Sequence, residues 1–387
     1  MKKLFSKRLD KISLDNRFQS FYGLKAAFDL PTLDFGIGQD NFLVTEGIKK
    51  ELFNEAALNS AWRYAEDGEP VLLTAFSTFA RKNYGIELDV RHLAPTMGIK
   101  EALNTLAFLL IDPEDYVVAT TPGYNVFQRK AKLLGGQVLE LPLQRSNNFW
   151  PNFKAVSPDI WRRTKVLLLN YPNNPTGAKA TSRLVRQALD LAGQYDFLVV
   201  NDGAYLDYSG LDSPFSFLSE DKSLARTIEL YSASKTFGMT GARLGLMAGP
   251  AELIALVKKY RDQENSGQFV PLQKAYAYAL AQVDLSAHRQ KYLDRAHRLK
   301  SVLADLGFRD TPYAGAFYLF YDAPSYLDGE YFETASALAG RLKAKYGIIV
   351  IPYDESRALR FSLTIRRDDD ILALAARLGG HKFAYHD

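Results

Sequence analysis

The chain has 387 residues, too many for one ordinary hydrophobic core, so two domains are expected. Its 47% hydrophobic and 24% charged residues fit a globular protein, and a net charge of +4 spread along the chain lacks the concentrated basic face that nucleic acid requires. With no cysteine there is no disulfide, no thiolate nucleophile and no thiolate-ligated metal.

The opening MKKLFSKRLD is basic, but no apolar core follows it, so no export signal is read there. No run approaches membrane-spanning length, and a cytoplasmic protein is the simplest reading. The first forty residues do not follow the pattern of the rest and are expected to pack against a second domain. From about residue 95, short apolar runs alternate with longer helical ones. YVVAT (116–120), KVLLLN (165–170), FLVVN (197–201), TIELY (227–231) and LGLMAG (244–249) are apolar on both faces, as buried strands of a mostly parallel sheet are. KEALNTLAFLL (100–110), SRLVRQALDLAGQY (182–195) and AELIALVKKYRD (251–262) read as the helices between or after them. The alternation predicts an α/β fold with helices on both faces and right-handed crossovers.

After residue 271 the texture changes. QKAYAYALAQ and HRQKYLDRAHRLKSVLADLG read as one long helix or two in succession. GAFYLFY (315–321), GIIVI (347–351) and ALRFSL (358–363) follow as strand candidates, with a helix between the first two. The expected division is a large domain over 40–285 and a smaller α+β domain made of 1–39 with 286–387.

Ligands of open α/β sheets bind beyond the carboxyl ends of the strands, so the residues after each strand are the candidates. KVLLLN leads into YPNNPTG, with Asn174, and FLVVN into Asp202, Gly203, Ala204 and Tyr205. TIELY leads into SASKTFGMTGAR, with Ser232, Ser234, Lys235 and Arg243, and YVVAT into TPGYNVF, with Tyr124. Gly98 stands at a helix start, followed by Ile99 and Lys100. A helix N-terminus with two hydroxyls and a guanidinium makes a cradle for a phosphate dianion. A buried Asp202 needs a cation or several donors. A lysine beside an arginine and a phosphate has its proton affinity driven down, as a Schiff-base nucleophile requires. Phosphate, protonated ring nitrogen and aldehyde meet in one cofactor, pyridoxal 5′-phosphate. Each residue alone also admits a plainer reading: Asp202 as a turn former, Tyr124 as core packing, Gly98 as an ordinary turn, Arg360 as the partner of Asp354 or Glu355. The five histidines show no metal spacing, and no metal site is expected.

YPNNPTG, NDGAY and YSASKTFGMTGARLG, in that order and with Lys235 and Arg243 eight residues apart, resemble the class I/II aminotransferases of the aspartate-aminotransferase fold (fold type I). The resemblance runs from about Gly36 to about Thr364. It implies that Lys235 forms the Schiff base and then shuttles a proton, while Asp202 keeps the pyridine nitrogen protonated. It implies that Asn174 and Tyr205 bond the ring's phenolate oxygen and that Tyr124 stacks on the ring. Ser232, Ser234, Arg243 and the start of the helix at Gly98, Ile99 and Lys100 would hold the phosphate. Arg360 would grip the substrate's α-carboxylate beside Asn174, and Gly38 would let substrate approach the backbone. Tyr64 matches a tyrosine that the partner subunit contributes in a homodimer with shared sites.

Three departures stand out. Ile99 replaces a hydroxyl or small residue common in relatives, so only its backbone could touch the phosphate. Tyr64 lies four residues before Gly68 rather than the usual five. SGQFVPLQ (266–273) resembles a loop lent to the neighbouring subunit, but Ser266 stands where one subgroup has asparagine, which points away from that subgroup's diaminopimelate substrate.

The implied activity is ping-pong transfer of an amino group from an L-amino acid to a 2-oxo acid. A pyridoxal-phosphate β-lyase of the C–S lyase type is the alternative, because the same residues would serve it. The ligand-sensing half of a regulator would need an appended DNA-binding domain, for which the chain outside the resemblance is too short. Phe21, Tyr22, Phe35 and Ile37 point to an apolar or aromatic side chain on the donor.

Overall fold

A computed structural model of the chain describes residues 6–8, 31–40, 44–65, 68–209 and 214–386. Its central sheet has seven strands: β1 (Leu93–Thr96), β2 (Tyr116–Thr121), β3 (Gln137–Pro142), β4 (Thr164–Leu169), β5 (Leu198–Asp202), β6 (Thr227–Ser232) and β7 (Gly245–Ala248). They lie in the order β1-β7-β6-β5-β4-β2-β3. Five of them are the apolar runs of the sequence, displaced by a residue or two. β1 and β3 were not expected, and both are edges. An edge strand tolerates Pro95 in β1 and the exposed Gln137 and Glu140 in β3, so neither shows a continuous apolar run. LGLMAG becomes β7, the strand antiparallel to both its neighbours. The reason is reach: a parallel return needs a crossover of a dozen or more residues, usually a helix, and residues 233–244 are spent on tight turns beside the strand ends.

Alternate side chains of each strand feed two cores. Val117, Ala119, Val166, Leu168, Val200 and Ile228 pack against the helices Ile99–Leu110 and Val126–Leu134. Val118, Leu167, Leu169 and Val199 face the other way, against Leu184, Val185, Ala188 and Ala192 of the helix Ser182–Tyr195. Each buried aliphatic side chain contributes about 1.5–3 kcal/mol, which explains why these positions are aliphatic on both faces. Thr181 starts the latter helix by accepting the Leu184 N–H at 3.3 Å.

Beyond residue 269 two helices follow, Val270–Gln282 and Ser286–Asp305. A three-stranded antiparallel sheet joins Tyr318–Asp322, Ala358–Ser362 and Ile351–Tyr353, and puts Arg360 opposite both Phe320 and Ile351. The helix Ala335–Tyr346 packs beside it. Leu33–Asp34 pairs in parallel with Ile348–Ile349. Arg145, just after β3, ties the two regions together: its guanidinium donates to Thr311 Oγ1 at 2.8 Å and to Asp322 Oδ1 at 3.2 Å. Among the described residues no helix is long and apolar enough to cross a membrane, and no group of three His, Cys, Asp or Glu side chains could hold a metal ion.

Candidate active site

The carboxyl ends of β2, β4, β5 and β6 open into a cleft of about 1880 Å³, roofed by the Tyr318–Asp322 and Ala358–Ser362 strands. Asp202 is the last residue of β5 and lies buried on its floor. Its carboxylate accepts one N–H, from Ala204 at 3.2 Å, and burial pushes its pKa up to about 6, against the pull of that N–H and of Lys235. A carboxylate so placed is short of partners, and a cation in the cleft would supply one.

The floor around Asp202 is held rigidly. Asn170 donates to the Asp202 carbonyl at 2.7 Å and accepts the Asn174 N–H at 3.0 Å. Asn201 clasps both backbone groups of Tyr171 and donates to the buried Glu229 at 2.9 Å. The YPNNPTG turn is thereby pinned to two strand ends, and Asn174 lines the cleft. Asn170 was not singled out in the sequence, although its place at a strand end was the available signal.

Lys235 follows β6 by three residues. Thr236 donates to Asp207 at 2.6 Å and the Tyr208 hydroxyl to the Thr236 carbonyl at 3.2 Å, which fixes the short helical turn that carries the lysine. The Lys235 amine donates to the Gly38 carbonyl at 2.6 Å. Burial lowers its proton affinity; the charges of Arg360 and Arg243 add to that, while Tyr318 and Asp202 oppose it. Tyr205 lies across the lysine, its ring centre 5.9 Å from Nζ.

At the other end of the cleft Ser232 and Ser234 are buried, and Arg243 reaches in from the turn before β7. Gly98 precedes the helix Ile99–Leu110 at φ 78°, and a Cβ there would sit 2.8 Å from the Arg243 guanidinium. Only glycine accommodates both that backbone and that neighbour. Ile99, Lys100 and Tyr124 line the same end, and burial pushes the Tyr124 phenol up to about 12.

Arg360 is fully buried. It donates to Asn174 Oδ1 at 2.8 Å and to the Gly36 carbonyl at 2.6 Å. Asp354, one acid the sequence offered as its partner, instead caps the helix Ala335–Tyr346 through Ser336. At Gly38 any Cβ would overlap the Tyr318 hydroxyl, so the close approach there is made by a side chain of this chain. Tyr318 itself escaped the sequence reading, since GAFYLFY reads only as a strand.

Tyr64 stands apart: it is 90% exposed and is not among the residues lining the cleft. Phe35 is fully buried, packed edge-on against Phe361, and so does not face the cleft as the sequence suggested; Ile37 does. Phe21 and Tyr22 lie outside the described residues.

Comparison with known proteins gives the family of the chain. Residues 31–378 match the family described as aminotransferase class I and II. An LL-diaminopimelate aminotransferase of Methanocaldococcus jannaschii is 34% identical over 333 residues, 85% of this chain and 79% of that one. One of Dehalococcoides mccartyi is 32% identical over 361 residues, 90% of this chain and 91% of that one. Among solved structures, substrate-bound BacF of Bacillus subtilis superimposes with a TM-score of 0.90 at 25% identity, covering 97% of both chains. An aminotransferase of Staphylococcus aureus gives 0.87 at 26% identity, covering 97% of this chain and 98% of that one. A site at the strand ends of a fold-type-I sheet, matched over nearly its whole length, makes this chain a member of the class I and II aminotransferases.

Proposed function

We propose that this aminotransferase works with pyridoxal 5′-phosphate and that Lys235 is the amine that holds it. The observation carrying the reading is a pair that lines one cleft: a half-buried lysine whose proton affinity is lowered, and a buried carboxylate with a single N–H donor. The residues present fit the group. Asp202, which accepts a single N–H, could accept another from a protonated ring nitrogen, and Gly98, Ser232, Ser234 and Arg243 gather donors where a phosphate needs them.

When bound, pyridoxal 5′-phosphate supplies an aldehyde carbon for amines and a protonated ring that draws off negative charge. Asp202 would hold the proton on that ring's nitrogen. Asn174 and Tyr205 would bond its phenolic oxygen, and Tyr124 would stack on the ring. Arg360, already spread between Asn174 and the Gly36 carbonyl, offers its guanidinium to an amino acid's α-carboxylate. Lys235 Nζ, uncharged more readily because it is buried, takes the proton from the amino acid's Cα. Gly38 holds that amine through its carbonyl.

The seven-stranded region over 40–285 and the region made of 1–39 with 286–387 serve in this reading as large and small domains. A cytoplasmic homodimer completes it. Supporting the dimer, Phe53, Trp62 and Tyr64 are 75%, 73% and 90% exposed on one stretch of chain, an apolar group suited to a second copy. Tyr64 then belongs to the neighbour's site.

The donor is an L-amino acid. Diaminopimelate is the first to try, on the names of the relatives, with apolar and aromatic amino acids beside it. The test is a half-reaction panel: each amino acid is mixed with enzyme and the bound-cofactor absorbance followed. Stoichiometric conversion, restored by a 2-oxo acid, is the expected result. Release of pyruvate and ammonia with no acceptor present would replace transfer by β-elimination.

A further inference from the structure

Tyr318 has no role in the site as read so far, yet three contacts meet on it. Its hydroxyl lies 2.7 Å from that of Tyr205. The Arg360 guanidinium carbon sits 4.1 Å from its ring centre. Its hydroxyl also fills the space beside Gly38, whose carbonyl receives the Lys235 amine. Tyr318 is 2% exposed and lines the cleft. Phenylalanine would fill the same volume and present the same ring face to Arg360. Beyond the space it takes beside Gly38, the hydroxyl is a polar group in a buried setting and needs a partner. The partner it has is the one phenol that the proposed reaction turns toward the cofactor.

Each phenol has one proton and can accept as well. If Tyr205 donates to Tyr318, its proton is consumed. If Tyr318 donates to Tyr205, the Tyr205 proton is left for a third oxygen, and a donor that itself receives a hydrogen bond donates more strongly. We propose that Tyr318 is a positioning residue: its ring seats Arg360 for the amino acid's carboxylate, and its hydroxyl donates to Tyr205 so that Tyr205 points its own proton at the cofactor's phenolic oxygen. This rests on the reading of Lys235 and pyridoxal 5′-phosphate given above.

Two variants of the cofactor-loaded enzyme separate the two halves. Tyr318→Phe keeps the ring and removes the hydroxyl. Weaker donation from Tyr205 leaves the phenolic oxygen's charge less stabilised, so the proton shared with Lys235 is held more tightly. The pH midpoint of the bound-cofactor absorbance should rise by about 0.5–1 pH unit, with KM for the amino acid within about twofold of wild type. Tyr318→Leu removes the ring as well, and KM should rise roughly fivefold above that of Tyr318→Phe. An unchanged or lowered midpoint in Tyr318→Phe overturns the role of the hydroxyl. A KM in Tyr318→Leu no higher than in Tyr318→Phe overturns the role of the ring. Wild-type enzyme is the control that keeps the two proposals apart. If it shows no titrating absorbance and borohydride leaves no label on Lys235, the cofactor reading has failed. If it shows both and the variant curves overlay it, only Tyr318 has been misread.

Discussion

Asp202 and Ser232 are the last residues of β5 and β6, and Lys235 follows three positions later. Across the cleft, Gly38, Tyr318 and Arg360 come from distant parts of the chain: Arg360 is bonded to a carbonyl 324 residues away, and Lys235 to one 197 residues away. The first wall is set by where strands stop and by turns bonded to their neighbours. The second exists only once the C-terminal strands have packed over the first. In the proposed enzyme the reacting groups stand on the first wall and the groups that recognise the amino acid on the second. Damage to the first should therefore fall on turnover, and damage to the second on binding.

The sharpest test of that division is Lys235→Ala. Turnover should drop by about 10⁴-fold, with amino-acid affinity far less affected, in single-turnover and binding measurements. A variant that keeps its turnover would break the comparison outright. Next comes Arg360→Lys, which retains a charge but not the two-pronged donor. Here kcat/KM should fall roughly 10²-fold, carried mainly by KM. A fall carried by kcat alone would mean that the second wall takes part in the chemistry.

The smallest effect concerns stability. Burial holds the Asp202 carboxyl at about 6 against an ordinary 3.8, so the folded chain binds the proton more tightly than the unfolded one. The contribution of Asp202 to stability without cofactor therefore declines as pH climbs from 3.8 through about 6, by at most about 3 kcal/mol, and does not recover above that. Asp202→Asn keeps an acceptor for the Ala204 N–H and removes the penalty. Without cofactor it should melt higher than wild type near pH 7 and about equally near pH 3, while losing activity. Equal melting at both pH values would show that Asp202 is not strained by burial, and would remove the reason to expect a cation beside it.

Much of the first wall was legible in the residues themselves. A short run that is mostly aliphatic on both faces reads as a strand covered on both sides, and a cluster of Ser, Lys, Asp or Asn just after it falls at the sheet's edge. Those are local facts, decided by side-chain periodicity and turn chemistry within a few residues. The edges of the sheet were not legible, because Pro95 and the half-exposed Gln137–Pro142 lack the pattern that burial imposes. Nor was the direction of β7, which the length of the preceding turn settles rather than its composition. Tyr318 meeting Tyr205, Arg360 choosing Asn174 and Gly36, Phe35 turning into the core and Tyr64 standing outside the cleft were all decided by packing between segments far apart in the chain. Such contacts depend on how whole layers settle against one another, and no short stretch of sequence carries that information.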